Sequence, residues 1–394
     1  MTAERHGQNP KTFWNLLGKL KDKKPSSDTF VKSSQFLNHF KSMFSEKSPE
    51  EPPPRCENIG PLDYQITMDE LENVVKSLKP GKAVGVDNIH NEMLYSLFEA
   101  QPKIMLKLFN NTLNSGEVTT EWVTSLIVPI HKKDEKTEPS NYRGISLISC
   151  FCKIFLSILN HRLFDFTQKH NILHRCQLGY CPGNRTSDAH IIMNNLIKTY
   201  CHENNQKIYS CFVDFSNAFD TIPREKLFKK LLSYNITGKF FNIIRNIYMA
   251  DQGSIKIGNQ YTERFDIGRG VRQGCVLSPL LFNIFMADLF KQLDDNKGKM
   301  KIGDKEIACI AWADDLIIMS ESESELQSML ETLEEYCEEN RLTINTDKTK
   351  CMVFNKSGRL IRKRLHINGI TIENVRSYKY LGFLLTPSGE LNSG

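Results

Sequence analysis

Trp312-Ala-Asp-Asp315 sets two adjacent carboxylates inside the apolar run from Ile307 to Met319. Burying an unpaired carboxylate is costly. Such a pair therefore either stands exposed at a tight hairpin tip or is neutralised by a metal. A third acid has the same setting: Asp214 closes the apolar run Ile208-Tyr-Ser-Cys-Phe-Val213. Two strands that each end by delivering carboxylates suit two-metal phosphoryl transfer, in which cations roughly 3.5–4 Å apart are shared by acids on rigid elements. The plain alternative is an ordinary turn with solvated acids.

The elements that must position these acids are legible in part. Thr67 and Glu70 form a capping box for a helix carrying Leu71, Val74, Val75 and Leu78. The helix stops at Pro80-Gly81, and Trp122 to Ile130 reads as a strand. A long helix then places Phe151, Ile154, Phe155, Ile158, Leu159, Leu163 and Phe166 on one face. After Asp214, Asp220 reads as a helix N-cap, with Leu227, Leu231 and Leu232 on the helix beyond. Ser278 and Pro279 read as N-cap and first residue of a buried helix over Leu280–Leu289. Ser322 and Glu325 cap a last helix with Leu326, Met329, Leu330 and Leu333 inward. This order implies an α+β fold with helices on one side of an antiparallel sheet.

Composition permits this reading without forcing it. The chain has 394 residues, enough for two or three domains, and its 40% hydrophobic and 25% charged residues are ordinary for a globular protein. A net charge of +5 allows a nucleic-acid partner without requiring one. Eleven cysteines without any C-x-x-C pair, many in apolar runs, point to a reduced, intracellular protein, cytoplasmic and/or nuclear. His174, Cys176 and Cys181 match no common zinc spacing. No apolar stretch reaches the roughly 18 residues of a membrane span, and the polar, basic start carries no secretory h-region. Phe13, Leu16, Leu17 and Leu20 form one short helical face, Phe36, Leu37, Phe40 and Phe44 another, and the stretch to Pro54 reads as linker.

The run Phe212-Val-Asp-Phe-Ser-Asn-Ala-Phe-Asp220, then Gly270-Val-Arg-Gln-Gly-Cys-Val-Leu-Ser-Pro279, then Ala313-Asp-Asp-Leu316 resembles the A, B and C motifs of reverse transcriptases from non-LTR (LINE-type) retrotransposons. Asn141-Tyr-Arg-Gly144, Leu342-Thr-Ile-Asn-Thr-Asp-Lys-Thr349 and Tyr378-Lys-Tyr-Leu-Gly382 resemble that family's fingertip, D and primer-grip motifs. Trp312 replaces the usual Phe or Tyr, Gly144 replaces a usual proline, and Cys181 stands where an arginine is expected.

The resemblance implies a right-hand polymerase fold. Residues 1–62 would be an extension, 63–205 the fingers, 206–385 the palm with the primer grip Tyr380, Leu381 and Gly382, and 386–394 a truncated tail. The thumb is expected to be absent or incomplete, and the chain to be a fragment or degenerate copy. Implied partners are an RNA template, a DNA primer and dNTPs, with no membrane; the oligomeric state is open. Asp214 and Asp314 would hold two Mg²⁺, with Mn²⁺ as an alternative. Asp315 would be the weaker ligand, since neighbouring strand residues face opposite sides unless a tight turn relaxes that. The backbone carbonyl of Phe215 would complete one shell. Arg143 would meet the triphosphate, assisted by Lys132 and Lys133; Gln273 would pack against the nucleotide; Lys348 would protonate the leaving pyrophosphate. Phe219 would lie beneath the sugar and exclude a 2′-hydroxyl. Rival readings are a catalytically silent nucleic-acid-binding remnant, an RNA-dependent RNA polymerase and an intron maturase.

Overall fold

The computed structural model describes residues 31–45, 50–132, 134–389 and 391–393. The helical face at Phe13–Leu20 and Lys133 lie outside them.

The centre is a five-stranded sheet in the order Glu373–Asn374, Lys350–Phe354, Ile208–Val213, Asp315–Ser320, Cys309–Trp312. All pairings are antiparallel except the first, which is parallel. Its strands are apolar almost without alternation because both faces are covered. Cys211, Val213, Leu316 and Ile318 face the helices Ser278–Asp294 and Glu323–Asn340, within the larger core. Phe212, Ile317, Met319 and Met352 face a second core supplied by the helix Thr186–Ile197 and by Tyr380 and Leu385. The expectation of helices on one side only is corrected accordingly.

A second sheet orders Tyr142–Leu147, Thr124–His131 and Gln252–Ile257, the first pair antiparallel and the second parallel. A turn of helix, Thr120–Val123, precedes its middle strand, so Trp122 is not in the strand as the sequence suggested. Its ring instead packs in the core against Phe109 and Phe155. Packed around it, the helices Met68–Lys76, Asn91–Ala100, Pro102–Ser115 and Cys150–Lys169 form a helical layer. Both halves of the Thr67–Glu70 capping box are present.

The helix Ser33–Phe44 buries Phe36, Phe40 and Phe44 in a small core with Ile127, Tyr142 and Ile255. Residues 50–60 keep a linker composition but are pinned: Arg245 donates to the Pro53 carbonyl at 2.7 Å, and Asn242 bonds both the N–H and the carbonyl of Cys56. Backbone groups on a surface need partners whatever the side chains are. Among the described residues no helix is long and apolar enough to cross a membrane.

Candidate active site

Asp214 follows the last residue of the strand Ile208–Val213, which is hydrogen-bonded on both sides. Its N–H donates to Thr349 Oγ1 at 3.2 Å and its carbonyl accepts from the Asn345 N–H at 2.8 Å. Phe215 is buried and bridges Ile344. The segment 342–349 therefore closes against the end of this strand. In the adjacent strand Val213 pairs with Leu316, so the antiparallel register sets Asp214 beside Asp315.

Trp312 pairs with Asp315, leaving Ala313 and Asp314 as a two-residue hairpin turn. Ala313 has φ 58°, the left-handed region that primed hairpin turns demand and that alanine disfavours. Gln177 holds it there. Its Oε1 accepts from the Ala313 N–H at 2.8 Å and its Nε2 donates to the Ala313 carbonyl at 3.1 Å. The same Oε1 accepts from the Gly179 N–H at 2.9 Å. A side chain on Gly179 would put a Cβ 2.4 Å from the Ala313 nitrogen, so the loop approaches only as glycine. Because Asp314 lies in the turn and Asp315 begins the strand, the two do not alternate as neighbours within one strand.

The three acids act on one another. Burial pushes the Asp315 carboxyl up to about 6, and the charges of Asp314 and Asp214 add to the shift. Asp314 is raised too, by burial first and by Asp214, with Arg143 and Lys132 opposing. Lys348 Nζ stands 4.0 Å from Asp214 Oδ2. Lys132 is exposed, and partial desolvation together with the Arg143 charge holds its ammonium pKa down. Arg143 is exposed on the strand Tyr142–Leu147, whose alternate residues Tyr142, Gly144 and Ser146 face inward. Sequence-distant acids and cations thus converge on one site. The donors are all oxygen, and a divalent cation would relieve the cost that burial and mutual repulsion impose, so the residues fit such an ion.

Around the acids, the Phe219 ring stacks on Phe282 at 4.4 Å and 7°, and Tyr180 meets its edge at 6.3 Å. Gln273 Nε2 donates to Asp220 Oδ2 at 2.7 Å, and its carbonyl accepts from the Ser146 N–H at 2.7 Å. Asp220 is therefore not the expected N-cap: it lies within the short helix Ala218–Thr221, and the helix bearing Leu227 has Pro223 at its cap; the Asp220 carboxyl is buried and pushed up to about 7. Ser278 is corrected similarly. Leu277 holds the cap position, and Ser278 Oγ meets Tyr248 Oη at 3.1 Å. The hairpin of strands Tyr378–Tyr380 and Phe383–Leu385 turns through Leu381 and Gly382, at φ 46° and 91°. Tyr380 is buried, with its hydroxyl 3.5 Å from the Asp315 carbonyl. Tyr378 stacks on Phe212 at 4.2 Å, and burial with the nearby Asp214 charge pushes its phenol up to about 12.

Sequence reasoning missed Gln177 as the clamp on the turn, Thr349 as the cap on Asp214, and the anchor of the Gly270–Pro279 loop. That anchor is Arg272, fully buried, whose Nε donates to Asp251 Oδ1 at 2.9 Å, while Arg224 Nη2 donates to Oδ2 at 2.6 Å. A buried amide clamp has no periodicity or spacing to betray it.

Comparison with known proteins agrees with the motifs. The family model described as reverse transcriptase (RNA-dependent DNA polymerase) matches residues 130–385. The chain is 26% identical over 330 residues to a probable RNA-directed DNA polymerase from transposon BS of Drosophila melanogaster, covering 81% of this chain and 36% of that protein. It is 25% identical to the RNA-directed DNA polymerase from mobile element jockey of Drosophila funebris, over 82% of this chain and 35% of the other. A Pol polyprotein of the type-1 retrotransposable element R2 from Popillia japonica is 26% identical over 82% of this chain and 45% of that protein. The chain spans less than half the length of these relatives. Apo telomerase from Candida tropicalis superposes with a TM-score of 0.49 at 12% identity, over 76% of this chain and 53% of the other. The family match covers well over half of the chain, and the chain belongs to the reverse transcriptase (RNA-dependent DNA polymerase) family.

Proposed function

We propose that this chain is the reverse transcriptase core of a non-LTR retrotransposon polyprotein, extending a DNA primer on an RNA template by nucleotidyl transfer. The supporting observation is the convergence of Asp214, Asp314 and Asp315 at the ends of two paired strands, with Asp214 raising both hairpin carboxyls and Asp314 raising Asp315. Residues 63–205 serve as fingers and 206–385 as palm.

Asp214 and Asp314 hold two Mg²⁺, with Asp315 as a weaker ligand. When bound, the ions supply Lewis acidity for the primer 3′-hydroxyl and charge neutralisation for the triphosphate. The protein's own work is positioning and electrostatics. Gln177 fixes the turn that carries Asp314, and Thr349 and Asn345 fix the backbone of Asp214. Arg143 and Lys132 meet the triphosphate, with guanidinium geometry suited to phosphate oxygens. Lys348, within 4.0 Å of Asp214, is placed to give a proton to the pyrophosphate. Gln273 packs against the nucleotide, its amide oriented by Asp220. The hairpin at Tyr380–Gly382 holds the primer end.

Primer extension on an RNA template with dNTPs and Mg²⁺ tests this. Asp314→Asn removes ion-binding charge worth several kcal/mol, so extension falls at least about a thousandfold, while RNA affinity changes little. Equal loss of both, or retained extension, refutes the assignment. An RNA polymerase reading is disfavoured by Phe219, which stacking on Phe282 holds rigid. Phe219→Ala admits ribonucleotides by about tenfold to a hundredfold, the scale of a steric pocket contact. Unchanged dNTP/rNTP preference in single-nucleotide extension would remove Phe219 as the gate.

A further inference from the structure

His174, Cys176 and Cys181 formed a loose set in the sequence, and folding changes its membership. The Cys181 thiol turns onto its own loop and donates to the Gln177 carbonyl at 3.4 Å. Asp294, the last residue of the helix Ser278–Asp294, comes in instead. His174 Nε2 lies 3.0 Å from Asp294 Oδ2. One donor atom each from His174, Cys176 and Asp294 falls within 4.8 Å of the others. A fourth donor lies nearby: the buried Cys309 thiol acts on the buried Cys176 thiol, although it falls outside that 4.8 Å set.

Two details point to a ligand. Asp294 Oδ1 is buried and has no hydrogen-bond partner among the described residues. A carboxylate oxygen in that state is costly, and native structures seldom leave one so. Charge is the second. A divalent cation, two thiolates, the Asp294 carboxylate and the Arg175 guanidinium, 3.1 Å from Asp294 Oδ2, sum to zero. Ligating carboxylates commonly carry such an outer hydrogen-bond partner.

We propose that His174, Cys176 and Asp294 bind Zn²⁺ and that the Cys309 thiol moves in to complete a tetrahedral site. Two sulfurs, an imidazole nitrogen and one carboxylate oxygen are donors that zinc accepts at that coordination number. Binding releases the two thiol protons to water. The site is structural and stands apart from the acid cluster. It ties the segment 174–177 to a helix end and to the strand Cys309–Trp312. Its neighbour Gln177 is the clamp on Ala313, so the ion braces the catalytic turn from behind.

Cobalt substitution tests this independently of polymerase activity. The full chain, reduced and stripped by chelator, takes up one equivalent of Co²⁺ with a thiolate-to-cobalt charge-transfer band, which Zn²⁺ abolishes. The acid cluster, having oxygen donors only, gives no such band. Cys176→Ser removes most of the absorption; Arg175→Ala weakens affinity about tenfold; Cys181→Ser changes neither. Should Cys176→Ser not fold, Asp294→Asn reads the same affinity, and weakening supports the site. A folded chain without the band, a band that survives Cys176→Ser, or one lost in Cys181→Ser overturns the proposal, as does unchanged affinity in Asp294→Asn.

Discussion

Arg224, Asp251 and Arg272 make one cluster, of buried charge; Asp214 and Asp314, half-buried, and Asp315, exposed at the start of its strand, make another. In the first, both oxygens of Asp251 are taken by guanidinium groups, and the remaining N–H groups of Arg272 reach the carbonyls of Trp122, Val123 and Ile247. In the second, like charges face one another, and burial holds Asp314 and Asp315 above the usual carboxylate range. Charge that is cancelled internally builds the scaffold of the Gly270–Pro279 loop. Charge left repelling marks where a ligand of opposite sign belongs.

Substitutions should separate the two clusters by sign. Asp251→Asn leaves two buried guanidinium groups without their counter-charge and lowers stability by about 3–5 kcal/mol in urea unfolding. Asp315→Asn, measured in chelator, removes repulsion and raises stability by about 1 kcal/mol. Similar losses in both would break the distinction.

Asp220 sharpens it, being a buried acid that the structure keeps beside Gln273. Its folded pKa of about 7 stands above the ordinary aspartate value of 3.8. Between those values the unfolded chain has released a proton that the folded chain retains. Stability therefore falls as pH rises through that window and levels off above it. Relative to Asp220→Asn, the wild type loses up to roughly 4 kcal/mol across the window. Parallel stability–pH curves for the two proteins would refute this.

A modest effect is expected at the clamp. Gln177→Ala deletes two hydrogen bonds to the Ala313 turn, worth about 1 kcal/mol each. Under the proposed function, kcat for primer extension falls about tenfold with KM nearly unchanged. A change confined to KM would place Gln177 on the substrate side instead.

Local chemistry made much of this molecule legible. The Thr67–Glu70 box, the Ser322 cap and the apolar strand ending at Asp214 are short-range patterns, and the structure keeps each. What stayed hidden depends on contacts between distant segments. Asp220 and Ser278 have cap-like residue types, but the helices start at other residues and both side chains are taken by tertiary partners, Gln273 and Tyr248. The pairing of Asp251 with Arg224 and Arg272 spans separate elements, and nothing in the run Arg272-Gln-Gly distinguishes a core anchor from a phosphate ligand. Both sheet faces being covered was implicit in the unbroken apolar runs, and the helix Thr186–Ile197 supplies the second cover.

The docking of Ser33–Phe44 bears on how the polymerase region can be isolated. A recombinant version begun at residue 63, the expected start of the fingers, would strip away Phe36, Phe40 and Phe44 and wet the sheet surface around Ile127 and Ile255. Such a version would be prone to precipitate, for want of a lid that composition alone labels dispensable.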